Sequence, residues 1–252
     1  TIWLNPSFCV VDSRHKNWTM PVLSVHDLEL RVGARLLMDN VTFRVDRGDK
    51  IGLVGRNGAG KTTLTKTLAG ELNAADGRID RSGEIGYLPQ DPRSGNPEDL
   101  ARTRILDARG LGQLVIGMAS ATEDMASPDA AISSEAMRRY GNLEERFMAL
   151  GGYAAEAEAA SIASNLSLPD RILSQPLSTL SGGQRRRIEL ARILFSGADT
   201  MLLDEPTNHL DADSIVWLRD FLKGFQGGLI VISHDVGLLQ ETVNKVFHLD
   251  AN

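Results

Sequence analysis

Gly55-Arg56-Asn57-Gly58-Ala59-Gly60-Lys61-Thr62 decides the fold. The stretch has the form G-x-x-x-x-G-K-T, a phosphate-binding loop. Ahead of it, Ile51-Gly52-Leu53-Val54 reads as a short buried strand. Behind it, residues 63–69 read as a helix, with Leu64 and Leu68 one turn apart and Gly70 as a stop. The motif needs that strand–loop–helix context. Glycines let backbone N–H groups turn inward around phosphate oxygens, and the helix N-terminus adds positive potential. Lys61 is placed to reach the β- and γ-phosphates, and the Thr62 hydroxyl to ligate Mg²⁺. Gly55, Arg56, Asn57, Gly58, Ala59, Gly60, Lys61, Thr62 and Thr63 are therefore the expected nucleotide-contacting residues. The competing reading is an ordinary glycine turn with a chance Gly-Lys-Thr; the flanking elements and the later motifs weigh against it.

The chain around this loop has 252 residues, room for one large α/β domain or a domain with a subdomain. A hydrophobic fraction of 42% and a charged fraction of 24% are ordinary for a soluble globular chain. Aromatic residues make up only 5%, so the core must be built from Leu, Ile, Val and Ala. The net charge of −6 argues against a generally basic, nucleic-acid-coating surface, though not against a local basic patch. Cys9 is the only cysteine, which leaves no internal disulfide and fits a reducing cytoplasm. The longest apolar runs, such as Leu229-Ile230-Val231-Ile232, are strand-sized, so no direct membrane insertion is expected. Residues 1–20 carry no apolar secretory core.

Outward from the loop, residues 22–50 read as β. Leu23, Val25, Leu28 and Leu30 mark one strand; Val41, Phe43 and Val45 alternate with polar neighbours in the next. Asp76-Gly77 is a turn, with short strands around Ile79 and around Ile85 and Tyr87. Pro92, Gly95 and Pro97 then break the pattern, and residues 98–165 read as helical, interrupted at Gly151-Gly152. Leu143, Phe147 and Leu150 share a helix face, read as core packing. Residues 1–21, with scattered Trp3, Phe8 and Trp18, are expected to lie outside the domain. The expected division is thus an extension (1–21) and one domain (22–252). The domain comprises a β-subdomain with the loop core (22–90), a helical, arm-like subdomain (91–165) and a returning core (166–252).

Three features of the returning core carry chemistry. Leu180-Ser181-Gly182-Gly183-Gln184 opens a helix; Met201-Leu202-Leu203-Asp204-Glu205 is an apolar strand ending in two carboxylates; Leu229-Ile230-Val231-Ile232-Ser233-His234 is a second such strand ending in a histidine. Ligands of open α/β sheets sit off the carboxyl ends of parallel strands, so one nucleotide site should gather the loop, Asp204, Glu205 and His234. Asp204 suits Mg²⁺, and Glu205 suits a general base for the attacking water. A solvated turn is the bland reading of the carboxylate pair, and the apolar strand before it argues otherwise. His234 is placed to hydrogen-bond the γ-phosphate, or is a structural strand-end histidine. Gln90, after Gly86-Tyr87-Leu88-Pro89, is placed to reach Mg²⁺ or the water, although a lone glutamine is a weak signal.

Ser181-Gly182-Gly183-Gln184 resembles the signature of ATP-binding-cassette ATPases. With the phosphate loop, Gln90, Asp204-Glu205 and His234 in that order, the similarity covers nearly all of residues 23–252. The resemblance implies an α/β fold: a P-loop NTPase ABC-ATPase core with a small antiparallel β-subdomain and an α-helical subdomain. It implies ATP and Mg²⁺ as cofactors. It also implies that two cassettes sandwich two ATP molecules head to tail, so that Ser181, Gly182, Gly183 and Gln184 serve the nucleotide of a facing cassette, with Asp211 on the loop that crosses the interface. Gly182 and Gly183 would expose backbone N–H groups at a helix start, a second anion site.

Glu205-Pro206-Thr207-Asn208-His209-Leu210-Asp211 and the Gly152-Tyr153 helix are similar to the ABC-F subfamily. Gly52-Leu53-Val54-Gly55-Arg56-Asn57 is similar to actinobacterial members, including those linked to macrolide resistance. ABC-F proteins carry two cassettes joined by a helical linker, act on the ribosome as translation factors or protect it from antibiotics, and have no membrane domain. The resemblance thus implies a second cassette and ribosomal RNA as partners.

The sequence departs from that pattern in holding one phosphate loop and one signature, as a first cassette alone or a self-pairing half would. The family's adenine-stacking aromatic is missing near Val32, where Arg31 or Arg35 could substitute. Arg185, Arg186 and Arg187, and likewise Arg138, Arg139 and Arg146, read as solvated helix faces or as contacts to RNA or an acidic partner. Two other readings of function are a transporter's ATPase subunit and a nucleotide-gated interaction module without turnover.

Overall fold

The phosphate-binding stretch joins a strand to a helix in the computed structural model, which describes residues 2–5, 8–12, 21–90 and 95–249. In chain order the first elements are β1 (Ile2–Asn5), β2 (Phe8–Asp12), β3 (Pro21–Val32), β4 (Arg35–Asp46), β5 (Lys50–Gly55), α1 (Lys61–Ala69), β6 (Asp76–Arg81) and β7 (Ile85–Leu88). Helices follow: α2 (Ala101–Leu106), α3 (Gly112–Met125), α4 (Ala130–Ala149), α5 (Gly152–Asn165), α6 (Asp170–Leu173) and α7 (Gly182–Phe195). The chain closes with β8 (Thr200–Asp204), α8 (Ala212–Gly224), β9 (Gly228–Ile232), α9 (Val236–Thr242) and β10 (Lys245–Leu249). Two compact units result: Thr1–Pro92 with Ala198–Asn252, and Arg93–Gly197.

The first unit holds two sheets. One, among the described residues, runs β1-β2-β10-β5-β9-β8-β7, with β10, β5, β9, β8 and β7 mutually parallel. Every residue of β8 and β9 is buried, as continuous apolar runs in a sheet covered on both faces require. The other sheet, β4-β3-β6, is antiparallel. Its β4 buries Val41, Phe43 and Val45 and exposes Thr42 and Arg44, the period-two pattern of a strand with one wet face. The buried faces form one core in which Leu23, Val25, Phe43, Ile51, Leu64 and Phe247 cluster. Phe43 and Phe247 meet edge to face with centroids 5.0 Å apart.

Residues 1–21 were expected outside the domain, yet β1 and β2 lie within the larger sheet. β2 pairs antiparallel with β10, Phe8 to Asp12 against Leu249 to Lys245. Backbone pairing is the physical reason, since it covers an edge of β10 that would otherwise present unpaired N–H and C=O groups. The readable signal was the apolar run Phe8-Cys9-Val10-Val11. The remainder of residues 1–20 lies outside the described residues.

The second unit is helical and extends past the expected boundary at residue 165. It includes the signature helix α7, because α7 packs on α2 and α5. Its central polar feature is Glu189 of α7, with a side chain only 4% exposed. Arg104 of α2 grips it through Nε at 2.7 Å and a terminal nitrogen at 3.2 Å, and Arg192 adds a third bond at 2.9 Å. Burial alone would lower the Arg104 pKa; the bond to Glu189 and its charge outweigh that and raise it. Arg109 forks onto Glu158 at 2.7 Å through both terminal nitrogens and lies 3.9 Å over the Phe195 ring.

The arginine run after the signature is neither a solvated face nor an outward basic patch. Arg186 is 6% exposed. Arg187 donates to the Leu166 and Ser167 carbonyls at 3.2 and 3.0 Å, and Arg185 to the Leu180 carbonyl at 2.9 Å. These guanidiniums tie α7 to its own entry and to the end of α5. In α4, Arg138 pairs with Glu135, and Arg139 with Asp124 of α3 at 2.6 Å.

Removing one partner of a buried ion pair strands the other charge. Arg104→Ala, which leaves Arg192 as the remaining partner of Glu189 among the described residues, is expected to destabilise the chain by about 3 kcal/mol. Arg104→Met combined with Glu189→Leu should recover most of that loss. Urea denaturation of the single and double variants checks both.

Candidate functional site

β5 delivers the chain to Gly55, where parallel pairing sets Leu249 of β10 alongside. Gly55 has φ +152°, and a Cβ there would lie 2.3 Å from the Leu249 carbonyl oxygen, so the strand can end here only on glycine. The loop turns back into α1 through Gly60, and Lys61 is the first helical residue. Its Nζ donates to the carbonyls of Gly55 at 2.8 Å and Arg56 at 3.1 Å, which holds the ammonium over the mouth of the loop. The Thr62 hydroxyl donates to Asp204 Oδ2 at 2.7 Å. Asp204, 2% exposed, is the last residue of β8.

Glu205 follows directly and is left-handed, with φ +51°. Its N–H donates to the Ile232 carbonyl at 2.8 Å, which pins the end of β8 to the end of β9. The carboxylate is nearly buried and faces His234 with both oxygens. Oε2 accepts from the His234 N–H at 3.3 Å, and Oε1 lies 3.5 Å from Nε2 of the exposed ring. Gln90 stands just past β7 and lines the same cleft.

That cleft, about 630 Å³, gathers Asn57, Gly58, Gly60, Lys61, Thr62 and Thr63 of the loop region with Gln90, Asp204, Glu205 and His234. Val32, Arg35 and Leu37 line it as well. Gly55, Arg56 and Ala59 shape the loop without lining the cleft, Ala59 being 4% exposed. Asn208 also lines it and was not singled out by the sequence; its place three residues after Glu205 was the available signal.

Asp211 and the signature residues are not among the residues that line this cleft. The Asp211 carboxylate caps α8 by accepting from the Ser214 N–H at 2.9 Å. Ser181 caps α7 in a reciprocal capping box, accepting from the Gln184 N–H at 3.2 Å while Gln184 Oε1 accepts from the Ser181 N–H at 2.8 Å. Those bonds leave the Gly182 and Gly183 amides at the helix start with no acceptor of this chain among the described residues. A Cβ on Gly182 would meet nothing within 4 Å.

Residues 38–208 match the family model described as ABC transporter. The chain belongs to that family of ATP-binding cassettes. Within it the chain is ABC-F-like. It is 38% identical over 221 residues to the energy-dependent translational throttle protein EttA of Escherichia coli, an alignment covering 86% of this chain and 39% of EttA. It is 36% identical over 238 residues to the tylosin resistance ATP-binding protein TlrC of Streptomyces fradiae, covering 90% of this chain and 42% of TlrC. It thus spans well under half the length of these curated relatives. A solved ATP binding subunit of an ABC transporter superposes with a TM-score of 0.68 at 20% identity, covering 90% of this chain and 85% of that one, a likeness of fold. The α/β core, antiparallel β-subdomain and helical subdomain of the cassette are therefore those the sequence implied.

The donor set of this cassette fits a small divalent cation. Thr62 and Asp204 offer hard oxygen atoms already in contact, with Gln90 on the same cleft. Among the described residues no cluster of three or more His, Cys, Asp or Glu forms a metal cage. A cation here would complete its shell from phosphate and water. Beneath the site, Tyr87 of β7 is a supporting residue that sequence reading passed over. Burial pushes its phenol up to about 12; Asp204 adds to the rise and Thr65 offsets part of it.

A tyrosine whose pKa is raised by folding favours the neutral phenol in the native state. Its contribution is fully present below the ordinary value near 10 and is lost as pH rises from there toward about 12, where the unfolded chain has already ionised. Tyr87→Phe should therefore flatten the alkaline fall in stability between those values. Denaturant melts across that pH range, with absorbance at 295 nm following phenolate, check this; an unchanged alkaline limb contradicts it.

Proposed function

We propose that this cassette binds Mg-ATP in the cleft and hydrolyses it as half of a head-to-tail pair. The observation that carries this is Glu205, a nearly buried carboxylate held by His234 on the cleft that the phosphate loop lines. Lys61 and the loop amides bind the triphosphate tail. Thr62 and Asp204, with Gln90, would hold Mg²⁺, and the ion would supply charge neutralisation to the triphosphate. Glu205 takes a proton from water as the water oxygen bonds to the γ-phosphorus. The bond from that phosphorus to the β–γ bridging oxygen breaks, giving ADP and phosphate. His234 orients Glu205 and faces the γ-phosphate. Ser181, Gly182, Gly183 and Gln184 act on the nucleotide of a facing cassette, and Asp211 lies on the loop that meets it. The facing cassette is either a second one in the same full-length protein or another copy of this chain.

The cellular reading rests on relatives. A translational throttle protein and a tylosin resistance protein, each more than a third identical to this chain, support an ABC-F role at the ribosome in the cytoplasm, in translation or antibiotic resistance. Among the described residues no helix is long and apolar enough to cross a membrane. A place as ATPase subunit of a transporter is the second reading, supported by the shared fold of a transporter's ATP binding subunit. Co-sedimentation with ribosomes rather than membranes separates the two.

Glu205→Gln is expected to cut turnover by about 10²–10⁴-fold, the range for loss of a general base, while ATP binding persists. Turnover equal to the parent's refutes the assignment of the base. Gly182→Ala fits this chain without a clash, so it should leave the melting temperature unchanged yet slow steady-state hydrolysis wherever cassettes pair. Mixing Gly182→Ala with Lys61→Ala should restore part of the rate, since each variant supplies the half-site that the other lacks. Absence of recovery on mixing contradicts action in trans.

A further inference from the structure

The His234 side chain is 78% exposed, so packing does little to aim it. Its backbone does the aiming. On one side the His234 N–H donates to Glu205. On the other, Asp235 caps α9: its Oδ1 accepts from the Leu238 N–H at 2.8 Å, and its own N–H donates to the Ser233 hydroxyl oxygen at 3.0 Å. Those two bonds are local to the turn between β9 and α9. Arg219 of α8 reaches the turn from outside.

Arg219 Nη2 lies 3.6 Å from Asp235 Oδ1, and Nη1 donates to Glu241 Oε1 at 3.1 Å. The guanidinium therefore spans α9 from its cap to its last turn. Lys223, one turn beyond Arg219 on α8, grips the other oxygen of Glu241 at 2.7 Å. Lys223 first, and Arg219 after it, holds the Glu241 carboxyl below the usual carboxylate range. Gly237 makes room for the fork. A Cβ there would lie 2.7 Å from Arg219 Nη2 and 3.2 Å from Asp235 Oδ1. Gly237→Ala would thus push the guanidinium off the cap and leave every charge in place. The body of α9 has a separate anchor. Leu239 and Val243 close on β5 at Gly52, 3.4 and 3.3 Å from where a Cβ would stand. Loss of the fork frees the first turn of α9, and His234 with it, rather than the whole helix.

We propose that Arg219 is a positioning residue for His234: its fork clamps Asp235 to Glu241 and so fixes the turn that aims the imidazole at Glu205 and the γ-phosphate. Its effect on turnover rests on the hydrolysis proposed above; its effect on the turn does not.

The test compares the whole chain, labelled with ¹⁵N-histidine, with Arg219→Ala, Gly237→Ala and their combination. The backbone order parameter of His234 should stand near about 0.85 in the parent and fall below about 0.6 in both single variants. The combination should do no more than either alone, because both remove one contact. Alanine is the better helix former, so Gly237→Ala should lose this order without a lower melting temperature. Where the chain turns over, kcat should fall about tenfold in each variant, short of the roughly 10²-fold cost of a fully misplaced group, with KM for Mg-ATP within about twofold. In a His234→Ala chain, adding Arg219→Ala should cost less than about twofold more. Unchanged order at His234 in Gly237→Ala, additive losses in the combination, or a further loss of about tenfold in the His234→Ala chain overturns the assignment. Lost order with kcat unchanged overturns the link to turnover. If order is lost while the parent hydrolyses no ATP, the clamp stands and hydrolysis by paired copies of this chain falls.

Discussion

The site depends on parallel pairing between β5 and β10. At its start the register is locked by reciprocal bonds: the Lys50 N–H donates to Asn244 Oδ1 at 2.8 Å, and the Asn244 N–H donates to the Lys50 carbonyl at 2.8 Å. Lys245 adds an ion pair to Asp49 at 2.9 Å, with both side chains largely shielded. At its end the same register sets the Leu249 carbonyl against Gly55. Any other residue in Gly55's conformation would drive its Cβ into that carbonyl, so this register requires glycine at the start of the loop.

Parallel pairing has a second consequence. Strands that run the same way end at the same edge, so the residue just past each strand is delivered to one place. β5 delivers the loop, β8 delivers Asp204 and Glu205, β9 leads to His234 and β7 to Gln90. Apart from the consecutive Asp204 and Glu205, these groups lie far apart in sequence. Assembling them needs only that the strands be apolar enough to be buried on both faces, which β8 and β9 are throughout.

This explains what could be read from the sequence and what could not. The loop, the carboxylate strand and the histidine strand were legible because each motif is local and sits in a strand of obvious period. The paired sheets and the helical subdomain followed from the same patterns. The arginine run misled because a charged run looks alike whether its partners are water, RNA or backbone carbonyls; here the carbonyls of Leu166, Ser167 and Leu180 sit up to 21 residues away in the chain. The start of the chain misled for a related reason. A four-residue apolar run is ambiguous until a strand edge such as that of β10 is known to need covering. The limit of the helical unit was set by packing of α7 on α2 and α5, which no local pattern announces.

The backbone of Glu205 was the least legible feature and bears most directly on chemistry. A non-glycine residue in the left-handed region costs about 1 kcal/mol or more, and such strain persists only where the surroundings over-determine it. Here its N–H is spent on the Ile232 carbonyl, so the turn out of β8 cannot relax without breaking a bond between strand ends. The same turn carries the side chain off the strand axis and aims both carboxylate oxygens at His234. An extended residue following Asp204 would continue the alternation of the strand and send its carboxylate to the opposite face of the sheet from that of Asp204. The strained conformation thus lets two consecutive acids, Asp204 and Glu205, serve one cleft: one beside Thr62, the other beside His234. Adjacent residues on a strand cannot otherwise share a site, and the tie to Ile232 is what holds them there.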